Sequence, residues 1–439
     1  MKKKIVIVGG ASSFTPGIFK SLLVNRKDLS LEEVYLQDID EEKLNIMGQF
    51  CQIMAKKHAP SIKVNWGLER KDAFMNADFL LVQIRPGGLK QRELDEKIPL
   101  QFDLIGQETC GPGGFAFAMR TIPAMIEIAK DVVKYCPDAW VLNYSNPEAM
   151  ISEALMRAVP EAKVMCLCDM PIGQELGLAN LIGKEHHELT FDYYGLNHFG
   201  WFTKIYDKNG HDYAQDIIQG VKSGQLNDLK PEESARDEYW DDVFERIMKM
   251  IEFFPDAIPL TYLQYYLFPD DMLKTMDPNY SRANYVMDTR HKDVFEECKR
   301  VIRNNSIDDS ELDTNAHGDY IVGVAISIAN DLKNRYIVNV PNYGSISNFR
   351  DDVIVEVPCY VGANGPDAIA VGEIPDFQKS LMEIEKGYEV LAVEACLEGS
   401  YEKALKALTL NLTIPNANKA KLVLDALIEA NQGYFPDFK

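Results

Sequence analysis

Four consecutive apolar residues, Ile5-Val6-Ile7-Val8, end abruptly at Gly9-Gly10, the pattern of a strand buried on both faces that runs into a tight turn. Pro16 suits the first turn of a following helix, Thr15 is placed to cap it, and Ile18, Leu22 and Leu23 supply an apolar stripe at helical spacing. Val34-Tyr35-Leu36 predicts a second strand, closed by Asp38 and Asp40, and a helix follows over 41–57. Strand-like runs recur at 79–84, 140–143 and 164–167, with a helical pattern over 117–134 among them. This alternation predicts an α/β fold, a doubly wound and mostly parallel sheet. From about Gly195 the alternation loosens and aromatic residues gather, most densely in Tyr262-Leu263-Gln264-Tyr265-Tyr266. A second, mixed α+β domain ending in helices after about Phe377 is expected, which divides the chain into 1–194 and 195–439.

Composition narrows the class. A chain of 439 residues has room for two or three domains at roughly 100 to 200 residues each. Its 46% hydrophobic and 26% charged residues are those of a globular protein. No apolar run approaches the roughly 18 residues of a membrane span, and the opening Met1-Lys2-Lys3-Lys4 leads into only four apolar residues, so a cytoplasmic protein without a membrane partner is expected. Eight scattered cysteines without a repeating spacing argue for reduced thiols. The net charge of −21 repels a nucleic-acid backbone, so a phosphorylated small molecule would need a local basic pocket.

In open α/β sheets ligands sit beyond the carboxyl ends of the strands, which directs attention to the segments after them. Gly9-Gly10-Ala11-Ser12-Ser13 is suited to let backbone amides approach a pyrophosphate at a helix N-terminus, with Asp38 on the ribose hydroxyls; a tight turn without ligand would read the same way. Gly106-Gln107-Glu108-Thr109-Cys110-Gly111-Pro112-Gly113-Gly114 holds four glycines in nine residues, so backbone there must pass close to something. Cys168 and His198, a thiol and an imidazole in segments short of charge, are the metal-ligand candidates, and sulfur would favour zinc. Asp169, at the end of a buried strand, is a candidate general acid or a plain helix cap. Arg92 and Arg282 are suited to grip an anion or to make surface ion pairs, and Tyr262 reads as core.

Taken together, Gly106 to Gly114, Asn143 to Pro147, Cys168 to Pro171, Asn197-His198-Phe199-Gly200-Trp201, Thr261 to Asp271 and Val357-Pro358-Cys359 resemble glycoside hydrolase family 4 over nearly the whole chain. Cys168 followed by Asp169-Met170-Pro171 is most similar to the 6-phospho-α-glucosidase branch. The resemblance implies a Rossmann-like domain of the lactate and malate dehydrogenase type, bound NAD and a divalent metal, most often Mn2+ in place of the zinc that sulfur alone suggests. It implies hydrolysis of a phosphorylated disaccharide or other α-glucoside 6-phosphate by temporary oxidation at C3, with Tyr262 as base at C2, Asp169 as acid and Glu108 raising the basicity of Tyr262. Cys168 and His198 would hold the metal, while Arg92, Asn146 and Arg282 would hold the phosphorylated sugar. Gly9, Gly10, Ser12, Ser13, Phe14, Asp38 and Asn146 would line the cofactor, and a homodimer or homotetramer is implied. Two departures are the pair of glycines where relatives in this branch carry three before Ser, and Pro86-Gly87-Gly88 ahead of Arg92. The competing readings are a 6-phospho-β-glucosidase of the same family, a net hydroxy-acid dehydrogenase, and a non-catalytic NAD-binding sensor.

Overall fold

The computed structural model describes residues 2–225, 238–308, 310, 312 and 316–439. The first apolar run forms β1 (Lys3–Val8), and its side chains part by alternation. Ile5 and Ile7 enter one buried core, with the helices Thr15–Val24 and Glu41–His58. Val6 and Val8 enter the other, with the helices Gly111–Tyr135 and Asp376–Glu398. Burying each of these side chains is worth about 1.5–3 kcal/mol, enough to fix which face each neighbouring helix covers.

Strands β2 (Leu31–Gln37), β3 (Lys63–Gly67), β4 (Phe79–Val82), β5 (Trp140–Asn143) and β6 (Lys163–Cys166) join β1 in the parallel order β3-β2-β1-β4-β5-β6. Each strand expected from the hydrophobic pattern of this half is present, and β3, which the pattern did not single out, completes the edge. The helix expected over 117–134 starts earlier, at Gly111. Gly113 and Gly114 disguise its first turn, since glycine is a poor helix former. Their absent side chains are required, because a Cβ at these positions would meet the carbonyl oxygens of Gln107 and Thr109 at 2.1 and 2.0 Å. The something that backbone must pass closely is thus the chain's own entering segment.

The sheet continues beyond β6 with antiparallel strands from later in the chain. In spatial order these are β10 (Asn334–Pro341), β11 (Ile354–Gly362), β7 (Leu189–Leu196), β8 (Phe199–Asp207) and β9 (Ile258–Pro259), while β12 (Gly365–Ala368) flanks β11. The division expected after residue 194 falls inside β7. Helices follow from Asp376 onward, as the pattern predicts. Among the described residues no helix is long and apolar enough to cross a membrane, and all eight cysteines are buried and unpaired.

Candidate active site

The segments that leave the carboxyl ends of β1, β4, β5 and β6 line one end of the parallel half, and the β7–β8 turn joins them. After β1, Gly9 has φ +84°, and a Cβ there would meet the Gln83 carbonyl oxygen at 2.6 Å, so only glycine fits. The Gly9 and Gly10 amides both donate to the Gln37 carbonyl at 2.9 Å, and Ala11 N donates to Asp38 Oδ2 at 2.8 Å. Asp38 Oδ1 also accepts from Ile39 N and Asp40 N at 2.7 and 3.1 Å, so this carboxylate holds the turn while keeping lone pairs free. Ser12 Oγ accepts from Phe14 N at 3.2 Å, and half-buried Ser13 lies between them. Thr15 is not the cap: the helix starts at Thr15 with Phe14 before it and no side-chain cap, while Thr15 Oγ1 accepts from Gln83 Nε2 at 2.9 Å. An uncapped helix start behind a glycine turn leaves amides suited to a pyrophosphate. Beyond β5, Asn146 has its Oδ1 buried without a hydrogen-bond partner, an acceptor that a bound group would satisfy. These residues fit a dinucleotide.

On the helix Gly88–Leu100, which begins directly after the departing Pro86-Gly87 step, Arg92 is buried. Its Nε lies 2.7 Å from Glu96 Oε1 and its Nη1 2.9 Å from Glu108 Oε2; Arg85 Nη2 approaches the same Glu108 oxygen at 2.8 Å. Burial alone would raise the Glu108 carboxyl, but Arg92 and Arg85 outweigh it and hold it down at about 2. Arg290 lies over the Phe14 ring, 4.2 Å from guanidinium carbon to centroid, and Arg282 packs on Tyr285 at 4.6 Å. Partial desolvation and the neighbouring Arg92 push Arg290 down to about 10, with Arg282 and Arg85 adding to the repulsion and Glu108 opposing it. Arg85, Arg92 and Arg290 act on Glu108, Arg282 stands by Arg290, and Glu96 pairs with Arg92, so four arginines face two carboxylates in a cluster short of negative charge, the local basic pocket that an acidic protein needs for a phosphate. Arg85 and Arg290 escape sequence reasoning; Arg85's position just past a strand end was the available signal, and Arg290 has none.

After β6, Cys168 occupies the cap position of the helix Asp169–Leu181 and accepts from Met170 N through Sγ at 3.5 Å. Its Sγ lies 3.3 Å from Nε2 of His198, and both residues are buried. Residues 197–198 are the two-residue turn between β7 and β8, with His198 at φ +62°, a conformation strained for a residue with a Cβ and typical of ligand-holding sites. Desolvation lowers His198 to about 4, so its ring is neutral and able to ligate near pH 7. That ring stacks on Tyr262, with centroids 4.0 Å apart and planes 12° apart. Gln174, on the helix that begins with Asp169, locks the segment leading to Tyr262: its Nε2 donates to the Pro259 carbonyl at 2.8 Å and its Oε1 accepts from Thr261 N at 3.0 Å. Tyr262 is therefore no plain core residue, and it lies within the electrostatic reach of Arg92.

Burial raises the Cys168 thiol well above its ordinary range, and Glu148, Glu356 and Asp169 add to this. Glu148 and Glu356 are themselves buried, at 2% and 0% exposure, and sequence reasoning missed both. The signal for Glu356 was one charged residue inside the apolar strand Ile354-Val355-Glu356-Val357. Among the described residues no third His, Cys, Asp or Glu completes a metal cage with another two. A buried thiol facing a neutral imidazole, backed by carboxyls, still fits a divalent ion that draws its other ligands from water or substrate.

Fold and site together define a Rossmann-like α/β enzyme scaffold whose cleft gathers arginines on one side and buried acidic side chains on the other. Residues 4–184 match the model described as family 4 glycosyl hydrolase and residues 193–414 that of the family 4 glycosyl hydrolase C-terminal domain; the chain belongs to this family. It is 44% identical over 439 residues to a maltose-6'-phosphate glucosidase of Clostridium acetobutylicum, with 100% of both chains covered. A 6-phospho-alpha-glucosidase from gut microorganisms, solved in complex with NAD and Mn2+, matches with a TM-score of 0.95 at 39% identity, covering 100% of both chains. The 6-phospho-beta glucosidase of Thermotoga maritima, solved with manganese, NAD+ and glucose-6-phosphate, matches with a TM-score of 0.84 at 31% identity over 99% of each chain.

Proposed function

We propose that this chain hydrolyses 6-phospho-α-glucosides such as maltose 6'-phosphate to glucose 6-phosphate and the aglycone, with NAD and a divalent ion, Mn2+ before zinc. The carrying observation is the stack of Tyr262 on His198, with Cys168 on the imidazole nitrogen and the arginine cluster alongside. When bound, the dinucleotide supplies a reversible hydride acceptor for C3 and the metal supplies Lewis acidity toward the resulting ketone. Tyr262 removes the C2 proton. Glu108 fixes Arg92 beside it, and that positive charge favours the phenolate; this replaces a direct push from Glu108 on the base. Asp169, leading its helix next to Cys168, gives a proton to the departing glycosidic oxygen. Arg92 and Arg282, with Arg85 and Arg290, hold the sugar phosphate, and Asn146 lends its free carbonyl oxygen to ligand. In this division of labour residues 1–194 hold NAD, Cys168 and Asp169, and residues 195–439 add His198, Tyr262 and two arginines.

The test is release of nitrophenol from 4-nitrophenyl 6-phospho-α-glucoside with NAD+, Mn2+ and a reductant. Omitting NAD+, metal or the substrate phosphate should each stop it. Faster cleavage of the β-anomer would reassign the chain to the 6-phospho-β-glucosidases, and NADH accumulating in step with a 2-hydroxy acid would make it a dehydrogenase. Dinucleotide binding without turnover of any glycoside would leave only a sensor.

A further inference from the structure

We infer that Arg120 and Asn431 are positioning residues of the phosphate grip: together they hold the backbone step that aims Arg85 and the helix that presents Arg92. The inference rests on the proposed role of the arginine cluster and extends it to two residues outside that cluster. Arg120 lies on the helix Gly111–Tyr135 and is buried, and each of its three side-chain nitrogens donates. Its Nε donates to the Pro86 carbonyl at 3.1 Å, its Nη1 to Asp95 Oδ1 at 2.9 Å and to Asn431 Oδ1 at 2.7 Å, and its Nη2 to Asp95 Oδ2. Asp95 is fully buried; burial pushes its carboxyl up to about 6 against the pull of Arg120, which leaves it ionised near pH 7. A buried ion pair of this kind adds little to stability, because desolvation offsets the attraction, so the geometry it fixes is the better account of it.

What it fixes is the departure of the chain from β4. Arg85 is followed by Pro86, by Gly87 at φ +84° and by Gly88 at φ +65°, two left-handed residues in a row ahead of Arg92. The bond from Arg120 Nε pins this step one residue after Arg85. The two side chains meet again on Phe117, with the Arg85 guanidinium 4.6 Å and the Arg120 guanidinium 5.8 Å from the centre of that ring. Arg85 Nη2 is thereby set 2.8 Å from Glu108 Oε2, while its Nη1 is buried without a hydrogen-bond partner, a donor left for an anion. Asn431 supplies the second tie. It follows the helix Ala417–Ala430, is fully buried, and is locked by its own Nδ2, which donates to the Leu427 carbonyl at 2.8 Å. Its Oδ1 accepts from Arg120 and also from Gln91 Nε2 at 2.8 Å, and Gln91 is the neighbour of Arg92 on the helix Gly88–Leu100. One amide oxygen, 340 residues along the chain from Gln91, thus joins the Arg85 step to the Arg92 helix. The spacing of the two guanidinium groups that share Glu108 is set from behind.

The experiment is calorimetric titration of the NAD+-loaded protein with glucose 6-phosphate, with NAD+ affinity and melting temperature measured in parallel. Arg120→Lys keeps a charge for Asp95 but cannot also reach Pro86 and Asn431. It should weaken glucose 6-phosphate binding about tenfold and leave NAD+ affinity within about twofold. Gln91→Met, at a half-buried position, removes only one bond to Asn431 and should cost about threefold. With 4-nitrophenyl 6-phospho-α-glucoside, KM should rise in both variants by more than kcat falls. Unchanged glucose 6-phosphate affinity in Arg120→Lys, whatever its melting temperature, would overturn the role of Arg120, and in Gln91→Met that of Asn431; an equal loss of NAD+ affinity would overturn both. Should Arg120→Lys fail to fold, Gln91→Met decides alone. Wild type that does not bind glucose 6-phosphate would overturn the phosphate role of the arginine cluster and this inference with it.

Discussion

Around Glu108 three arginines act on one carboxylate with a fourth beside them, while around Cys168 three carboxyl side chains act on one thiol. Glu108 and Glu356 show what the difference does. Burial pushes both upward, yet Glu108 ends at about 2 because Arg92 and Arg85 dominate, and Glu356 ends at about 7 although Asn197 and Tyr193 hydrogen-bond to it. Depth in the protein does not decide the charge of a carboxyl; its company does. A substrate that is a dianion at one end, acted on with a dication at the other, is matched to this polarity, and Tyr262 stands where the two sides meet.

Removing the meeting point has the largest expected effect. Tyr262→Phe should lower kcat about 10³- to 10⁴-fold, the upper range for a general base, and stop exchange of the C2 proton with deuterated solvent in NMR; persistent exchange would assign the base elsewhere. On the acidic side, Asp169→Asn should slow a poor leaving group such as glucose about 10²-fold, and nitrophenol much less. Equal losses on both substrates would remove its role as an acid. On the basic side, Arg290→Met should raise KM for the phosphorylated substrate about tenfold, in line with loss of one charge-assisted contact, and leave any slow cleavage of the unphosphorylated glucoside alone. If both substrates suffer alike, the cluster is structural.

The smallest effect is on stability and concerns Glu108. Its folded carboxyl sits near 2 against an ordinary 4.5. The unfolded chain therefore takes up the proton first on acidification, so the stabilisation is complete above about 4.5 and is lost as pH falls toward 2. After allowance for solvent at the cleft edge this amounts to roughly 1–2 kcal/mol. Melting curves of wild type and Glu108→Gln should converge across that window, and a constant gap would show that the arginines do not hold the charge.

The parallel half was legible because each of its buried strands is a short apolar run closed by a turn, a local signal that needs no partner. The placement of β10 against β6 and of β11 against β7 was not, since pairing across more than 150 residues leaves no trace in local periodicity. The same distinction runs through the site. Cys168, His198 and Tyr262 were named from chemical type and family resemblance, and the fold gathers them. Arg290 comes from a short segment with no strand before it, and an arginine in polar sequence looks like surface. Glu148 was hidden by its place at a helix start, where acidic residues are ordinary.

Because β10 hydrogen-bonds to the edge of β6, and β11 to β7, the two halves of this molecule are sewn along a common seam. Severing the polypeptide near residue 194 would cut through β7 and bare backbone donors and acceptors on both pieces. Separately expressed fragments should accordingly be sticky and short-lived alone, yet able to find each other when produced together.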